Sequence, residues 1–262
     1  MKAHLLQLDL IWEDRHANFE LVEHALSQAR IDPGDLVILP ELFDSGFSLN
    51  TDLTADHNSE TLRFLHTLAD NLGITIQGSR TRKPDPTGKA TNNATIVAPG
   101  GQLLVEYAKV HPFTFGKEPE AFIGGDDTSL YTWSSGSESL RVDPAVCYDL
   151  RFPELFRRGL LAGAEAFALG ANWPESRQAH WRALAIARAI ENQAYVFAVN
   201  RTGRDPHLTY AGGTIAIDPQ GKILGELDAK PGTLTVDVDP ESVRNWRSTF
   251  PAWQDLKILR LN

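Results

Sequence analysis

Short apolar runs alternate with amphipathic stretches along the whole chain. Ala3 to Leu10 reads as a strand. Asp14 is placed to cap a helix reaching Arg30, with Ala17, Leu21, Ala25 and Ala29 on one face. Leu36-Val37-Ile38-Leu39 is a fully apolar strand stopped by Pro40. Ser59 is placed to cap a helix that buries Leu62, Leu65, Leu68 and Ala69 and ends at Gly73, after which Ile74 to Ile76 returns to strand. The second half repeats the alternation. Val142 to Tyr148 reads as a strand, and Pro144 within it predicts an irregular or edge-exposed start. A helix is expected from about Pro153 to Ala162 and a strand over Ala166 to Leu169. A second helix spans Arg177 to Gln193, with Trp181, Leu184, Ala185 and Arg188 at helical spacing, and Tyr195 to Val199 closes the pattern as a strand.

Two segments resemble each other. Thr95 to Leu104 and Thr214 to Leu224 each read as strand, Pro/Gly turn and strand, hence as hairpins, and each follows a β-α-β portion. They predict two similar half-layers, one per sheet of a sandwich. The tail after Pro240 carries Trp246, Phe250, Pro251 and Trp253 with little regular pattern, so its aromatics need a surface on their own domain or on a partner subunit. No linker divides the chain, and one α/β domain over residues 1–262 is the economical reading.

Composition narrows the function classes. The 262 residues are 42% hydrophobic and 23% charged, an ordinary globular mixture. A net charge of −9 without a basic patch disfavours nucleic acid and anionic membranes. The start of the chain lacks the apolar stretch of a signal peptide, and no long uninterrupted apolar window exists, so a cytoplasmic protein is expected. A single cysteine allows neither an internal disulfide nor a zinc-type cysteine pair, and neither a metal nor a cofactor is expected.

That cysteine, Cys147, follows an apolar run and precedes a predicted helix. A strand-to-helix turn suits a nucleophile, and a helix N-terminus favours a thiolate. It needs a base and an oxyanion stabiliser. Among eight histidines only His111, in Lys109-Val110-His111-Pro112-Phe113, has a suggestive context, which leaves a Cys–His pair open. The other reading uses a carboxylate and a lysine. Glu41 ends the strand Leu36 to Leu39, Lys109 ends the first hairpin, and strand ends are where open α/β sheets place their sites. Each alone is most simply a surface charge, but three chemistry-bearing side chains at three strand ends form a far less accidental set.

Three blocks now stand in order: Leu39-Pro40-Glu41-Leu42-Phe43-Asp44-Ser45-Gly46-Phe47, Tyr107-Ala108-Lys109-Val110-His111-Pro112-Phe113, and Cys147-Tyr148-Asp149-Leu150-Arg151-Phe152-Pro153-Glu154. Together they resemble the nitrilase superfamily of carbon–nitrogen hydrolases, from the first strand to the hairpin after Tyr210. Phe43 to Phe47, Ala171-Asn172-Trp173-Pro174 and Arg188 to Tyr195 look most like its omega-amidase branch. The resemblance implies a four-layer α-β-β-α sandwich, with Glu41 as general base, Lys109 as oxyanion stabiliser and Cys147 as nucleophile. It also implies a second glutamate before a Gly-Asp pair. Glu118 and Glu120 both precede Gly125-Asp126, and the spacing to Asp126 favours Glu118.

The resemblance further implies hydrolysis of a small amide, the omega-amide of a dicarboxylate such as 2-oxoglutaramate or succinamate, through a cysteine thioester. Another carbon–nitrogen hydrolase of the superfamily, or a silent binding protein on this fold, are the competing readings. The backbone N–H of Tyr148 is a candidate oxyanion donor, and Phe43, Phe47, Phe113, Trp173 and Tyr210 are candidate pocket walls. Arg151 and Arg201 are candidates for a distal carboxylate, although Arg151 is expected to pair with Asp149 or Glu154. The resemblance also implies a homodimer or larger homo-oligomer, built on the helix after Cys147 and on the helix Arg177 to Gln193.

Overall fold

The computed structural model describes residues 1–257. The chain runs β1 (Lys2–Gln7), α1 (Arg15–Gln28), β2 (Leu36–Ile38), α2 (Thr51–Thr54), α3 (Glu60–Leu72), β3 (Thr75–Arg82), β4 (Thr91–Ala98), β5 (Gln102–Ala108), α4 (Glu118–Ala121), β6 (Tyr131–Ser135) and β7 (Glu138–Val146). It continues with α5 (Pro153–Leu161), β8 (Ala166–Ala171), α6 (Gln178–Asn192), β9 (Tyr195–Asn200), β10 (Thr202–Arg204), β11 (Thr209–Ala211), β12 (Ile215–Ile217), β13 (Ile223–Glu226), β14 (Gly232–Asp237) and α7 (Pro240–Thr249).

Two six-stranded sheets result, ordered β14-β1-β2-β3-β4-β5 and β13-β12-β9-β8-β7-β6. In each, three parallel strands form the centre (β1, β2, β3 and β7, β8, β9) and a hairpin extends one edge. The two hairpins are those expected from the repeated strand–turn–strand pattern, one per sheet.

Burial on both faces explains the apolar runs. Leu36 and Ile38 of β2 enter the core shared with the second sheet, while Val37 between them packs with Val22 and Leu26 of α1 and Leu65 and Leu68 of α3. On the far side, Phe156 of α5 and Trp181, Ala185 and Ala189 of α6 cover the second sheet. Helix, sheet, sheet and helix therefore stack as a four-layer α-β-β-α sandwich.

Several local expectations change. Asp14 does cap α1, accepting from Ala17 N at 3.1 Å. Ser59 precedes α3, but its side chain makes no capping bond; Asp56 does that work, accepting from Thr61 N at 3.1 Å and Leu62 N at 3.2 Å. Pro144 does not mark an exposed start. β7 pairs with β6 from Glu138 to Val142 and with β8 from Val142 to Val146, so at Pro144, opposite the buried Ala168, the strand has β8 as its single neighbour. The missing N–H therefore falls where the β6 ladder has already ended.

The tail is not patternless. Asp239 caps α7, Val243 is fully buried, and Arg247 donates to the carbonyls of Gln193 and Ala164, so the tail docks on its own domain. Residues 258–262 of the tail lie outside the described residues. Among the described residues no helix is long and apolar enough to cross a membrane.

The two sheets approach closely at the C-terminal ends of β2 and β8. A Cβ on Gly170 would lie 2.6 Å from the carbonyl oxygen of Leu39 and 3.0 Å from the backbone nitrogen of Glu41. We predict that Gly170→Ala lowers stability by about 1–3 kcal/mol and also lowers activity, because relief of the clash must move the backbone that carries Glu41. Denaturant unfolding together with a rate measurement checks this; unchanged values for both would contradict it.

Candidate active site

Strand direction gathers the site. β2 and β3 run parallel, and the two reversals through β4 bring the end of β5 back to the edge where β2 ends. Glu41 lies just past β2, and Lys109 directly follows β5, with its N–H bonded to the carbonyl of Asn92 at 2.8 Å. Cys147 follows β7 in the opposite sheet and opens a 3-10 turn, Cys147–Arg151. Glu118 is the first residue of α4, and Pro119 behind it fits because a proline is tolerated in the first turn of a helix.

Lys109 and the two glutamates are all buried. The Lys109 Nζ donates to Glu41 Oε1 at 2.8 Å and to Glu118 Oε2 at 2.8 Å, whereas Glu120 is exposed. The Phe47 ring lies beside the ammonium, 5.5 Å from Nζ to the ring centre. Two asparagines complete the cluster. Asn92 Nδ2 donates to Glu41 Oε1 at 2.8 Å and Glu118 Oε1 at 3.2 Å, and Asn172 donates its backbone N–H to Glu41 Oε2 at 3.0 Å. Sequence reasoning assigned neither asparagine a role. Asn92 sits inside an ordinary strand pattern, and an amide between two carboxylates leaves no mark on spacing.

Cys147 has a φ of 45°, a left-handed conformation costly for a side-chain-bearing residue, of order 1–3 kcal/mol. The turn is held by Asp149, whose Oδ2 accepts from Tyr107 Oη at 2.7 Å and Val146 N at 3.1 Å. Its Oδ1 accepts from His111 N at 3.0 Å and faces His111 Nδ1 at 2.8 Å. His111 is thus engaged with Asp149, and Asp149 ties the cysteine turn to the lysine segment.

The electrostatics answer what the sequence left open. Burial works to raise the Glu41 pKa, but the Lys109 charge and hydrogen bond, with those from Asn172, hold it below the usual carboxylate range. Burial raises the Cys147 thiol well above its ordinary value; the Glu41 charge adds to this and Lys109 opposes it. The helix N-terminus does not deliver a resting thiolate: α5 begins only at Pro153, after the short turn. The resting state is a neutral thiol beside an ionised glutamate.

Cys147 lies between two hollows. One is a narrow cleft of about 20 Å³ lined by Phe113, Tyr148, Arg151, Trp173 and Arg177. Arg151 does not pair with Asp149 or Glu154; its guanidinium stacks over Trp173 at 4.6 Å and, among the described residues, has no carboxylate partner. The other is a cavity of about 690 Å³ onto which Glu41, Lys109 and Phe47 open. Phe43 and Tyr210 do not line either hollow. Phe43 is core beside Phe19 and Phe64, and Tyr210 donates to Asp205 at 2.5 Å. Arg201 is buried against Tyr210, donating to the carbonyl of Leu10 at 2.9 Å, and is not a free cation for substrate.

Residues 2–248 match the family model described as carbon-nitrogen hydrolase, which takes in the whole sandwich and every residue of this cluster. The chain belongs to the carbon-nitrogen hydrolase family, and its class within that family is amidase. It is 34% identical over 263 residues to the omega-amidase YafV of Escherichia coli (strain K12), covering 100% of this chain and 98% of that protein. It is 30% identical to the 2-oxoglutaramate amidase of Bacillus subtilis (strain 168), covering 96% of each. Among solved structures it is similar to XC1258 from Xanthomonas campestris, a CN-hydrolase superfamily protein with an arsenic adduct in its active site. The TM-score is 0.90 at 32% identity, covering 100% of this chain and 99% of that one.

Because the Glu41 charge raises the Cys147 thiol, Glu41→Gln is predicted to lower that pKa while abolishing turnover. Thiolate ultraviolet absorbance followed against pH should show the titration moved to lower pH in the variant; a move upward would contradict the reading.

Proposed function

We propose that the protein hydrolyses the omega-amide of a small dicarboxylate, such as 2-oxoglutaramate or succinamate, to the acid and ammonia through a thioester on Cys147. The observation that carries this reading is the Lys109 ammonium clamped at 2.8 Å by both Glu41 and Glu118, on the cavity that also reaches Cys147. The names of the two curated relatives support the omega-amide class.

Each group has a task. Cys147 attacks the amide carbon and its proton passes to Glu41. Glu41 is a weak base at rest, since Lys109 holds it ionised. Attack itself corrects this: negative charge growing on the carbonyl oxygen draws on Lys109, loosens its hold on Glu41 and makes the carboxylate more basic. Lys109 and the backbone N–H of Tyr148 stabilise the oxyanion, and loss of one such donor typically costs about 10²–10³ in rate. The C–N bond then breaks, Glu41 protonates the departing nitrogen, and ammonia leaves a thioester. Water activated by Glu41 releases the acid and restores the thiol. Glu118 holds Lys109 in place throughout.

The cleft on the other side of Cys147 suits the distal carboxylate. Arg151 and Arg177 both line it and offer a carboxylate two planar cations. Phe113, Tyr148 and Trp173 wall it and keep the acyl chain short. We place the reaction in the cytoplasm, where a lone thiol stays reduced. We also propose a homodimer: Leu161 at the end of α5 and Ile190 on α6 expose 46% and 53% of their surface, and a second copy would cover them. Light scattering at micromolar concentration should give twice the 29.0 kDa chain mass; a monomer would refute the assembly.

The purified protein should release ammonia from 2-oxoglutaramate and succinamate, far more slowly from butyramide, which lacks the carboxylate, and not from a nitrile or a carbamoyl amine. Cys147→Ala should abolish turnover with folding intact, and Cys147→Ser should be nearly inactive, since Glu41 is too weak a base for an alcohol. Near-normal amide hydrolysis by Cys147→Ala would overturn the mechanism.

A further inference from the structure

The two hollows beside Cys147 are very unequal, and the larger is far more than a dicarboxylate monoamide needs. A molecule the size of 2-oxoglutaramate occupies at most about 300 Å³ if each heavy atom is given the volume of a water. The cavity on the Glu41 side is about 690 Å³, within the range of roughly 300–1,000 Å³ typical of pockets for much larger ligands.

Its position fixes which end of the substrate it meets. Glu41 and Lys109 line the large cavity and not the arginine cleft, Arg151 lines the cleft and not the cavity, and Arg177 stands between the two and lines both. Glu41 must face the nitrogen it protonates, so with the acyl carboxylate in the cleft, the nitrogen and anything attached to it point into the large cavity. The chemistry of the outer wall is mostly apolar: Trp12, Leu49, Phe115 and Leu208 line it, and Phe115 and Leu208 expose 81% and 40% of their surface. The two outer acids are already engaged. Glu13 accepts from Ser48 Oγ at 2.6 Å, and Asp205 accepts from Tyr210 Oη and from the backbone N–H groups of His207 and Leu208, both at 2.7 Å. Lys117 and Arg177 line the same cavity and offset these two charges, so the wall does not select a cationic substituent.

We propose that this outer cavity is a leaving-group subsite, and that the enzyme also cleaves omega-amides whose nitrogen carries a neutral, apolar or aromatic substituent. This rests on the omega-amidase reading above and extends it to secondary amides. The balance of the reaction is unchanged. The sulfur–carbon bond forms as the thiol proton moves to Glu41. The C–N bond breaks as that proton moves to nitrogen, so a primary amine leaves in place of ammonia. Water then cleaves the thioester to the same acid.

The test compares succinamate with N-benzylsuccinamate on the full-length protein, reading succinate from both, and repeats the pair with Leu208→Ser and Trp12→Leu. We expect kcat/KM for the benzyl amide within about a hundredfold of that for succinamate. Each variant should lower it by about tenfold or more for the benzyl amide while leaving succinamate within about twofold. Cleavage of the benzyl amide more than about a hundredfold slower than that of succinamate, or variants that depress both substrates alike, would overturn the subsite with the omega-amidase reading intact. Failure to cleave succinamate itself would remove that reading, and the subsite with it.

Discussion

A buried ammonium between two buried carboxylates is the constraint on which the rest of the structure depends. Desolvating Lys109, Glu41 and Glu118 is expensive, and it is tolerated because the Nζ sits 2.8 Å from an oxygen of each acid while Asn92 and Asn172 satisfy further oxygens. Removing one member of such a cluster leaves an unpaired buried charge, at about 3–5 kcal/mol. The cluster is therefore rigid, and its rigidity makes it useful. Lys109 remains protonated because both acids raise its pKa against burial, so a fixed positive charge faces the cavity that reaches Cys147.

The sandwich exists in this form to let that cluster meet a sulfur from the other sheet. Glu41 and Lys109 come from the first sheet, Cys147 and Asn172 from the second, and the contact between them runs through the close approach at Gly170. Asp149 adds a second tie, binding Tyr107 and His111 of the lysine segment to the turn that carries Cys147. The left-handed backbone at Cys147 is held by this surrounding structure, as strained residues at functional sites generally are.

Much of this was legible in the sequence, for identifiable reasons. The parallel central strands are buried on both faces, so they appear as uninterrupted apolar runs such as Leu36 to Leu39, and their ends mark the site. Glu41 and Cys147 drew notice because each stands at such an end, and Lys109 because it ends the first hairpin. β14 was also readable but passed unremarked: Thr233 to Val238 alternates polar and apolar residues, and the strand pairs antiparallel with β1. The helix α7 hid behind its aromatics, although Asp239-Pro240-Glu241 is a helix-start signal.

What remained illegible depends on contacts distant in sequence. Nothing local shows that Asp149 is taken by Tyr107 and His111, and therefore nothing local shows that Arg151 turns to Trp173 and His180 rather than to that carboxylate. The balance at Glu41 is of the same kind, since burial and Lys109 oppose each other and only geometry tells which prevails. In the proposed reaction these groups act together to pass an acyl group through Cys147. The most direct measurement is mass spectrometry of enzyme quenched with acid during turnover of succinamate. A fraction of molecules should carry a succinyl group, the mass of succinamate less ammonia, on the peptide that contains Cys147. Sustained ammonia release with that peptide always unmodified would contradict it.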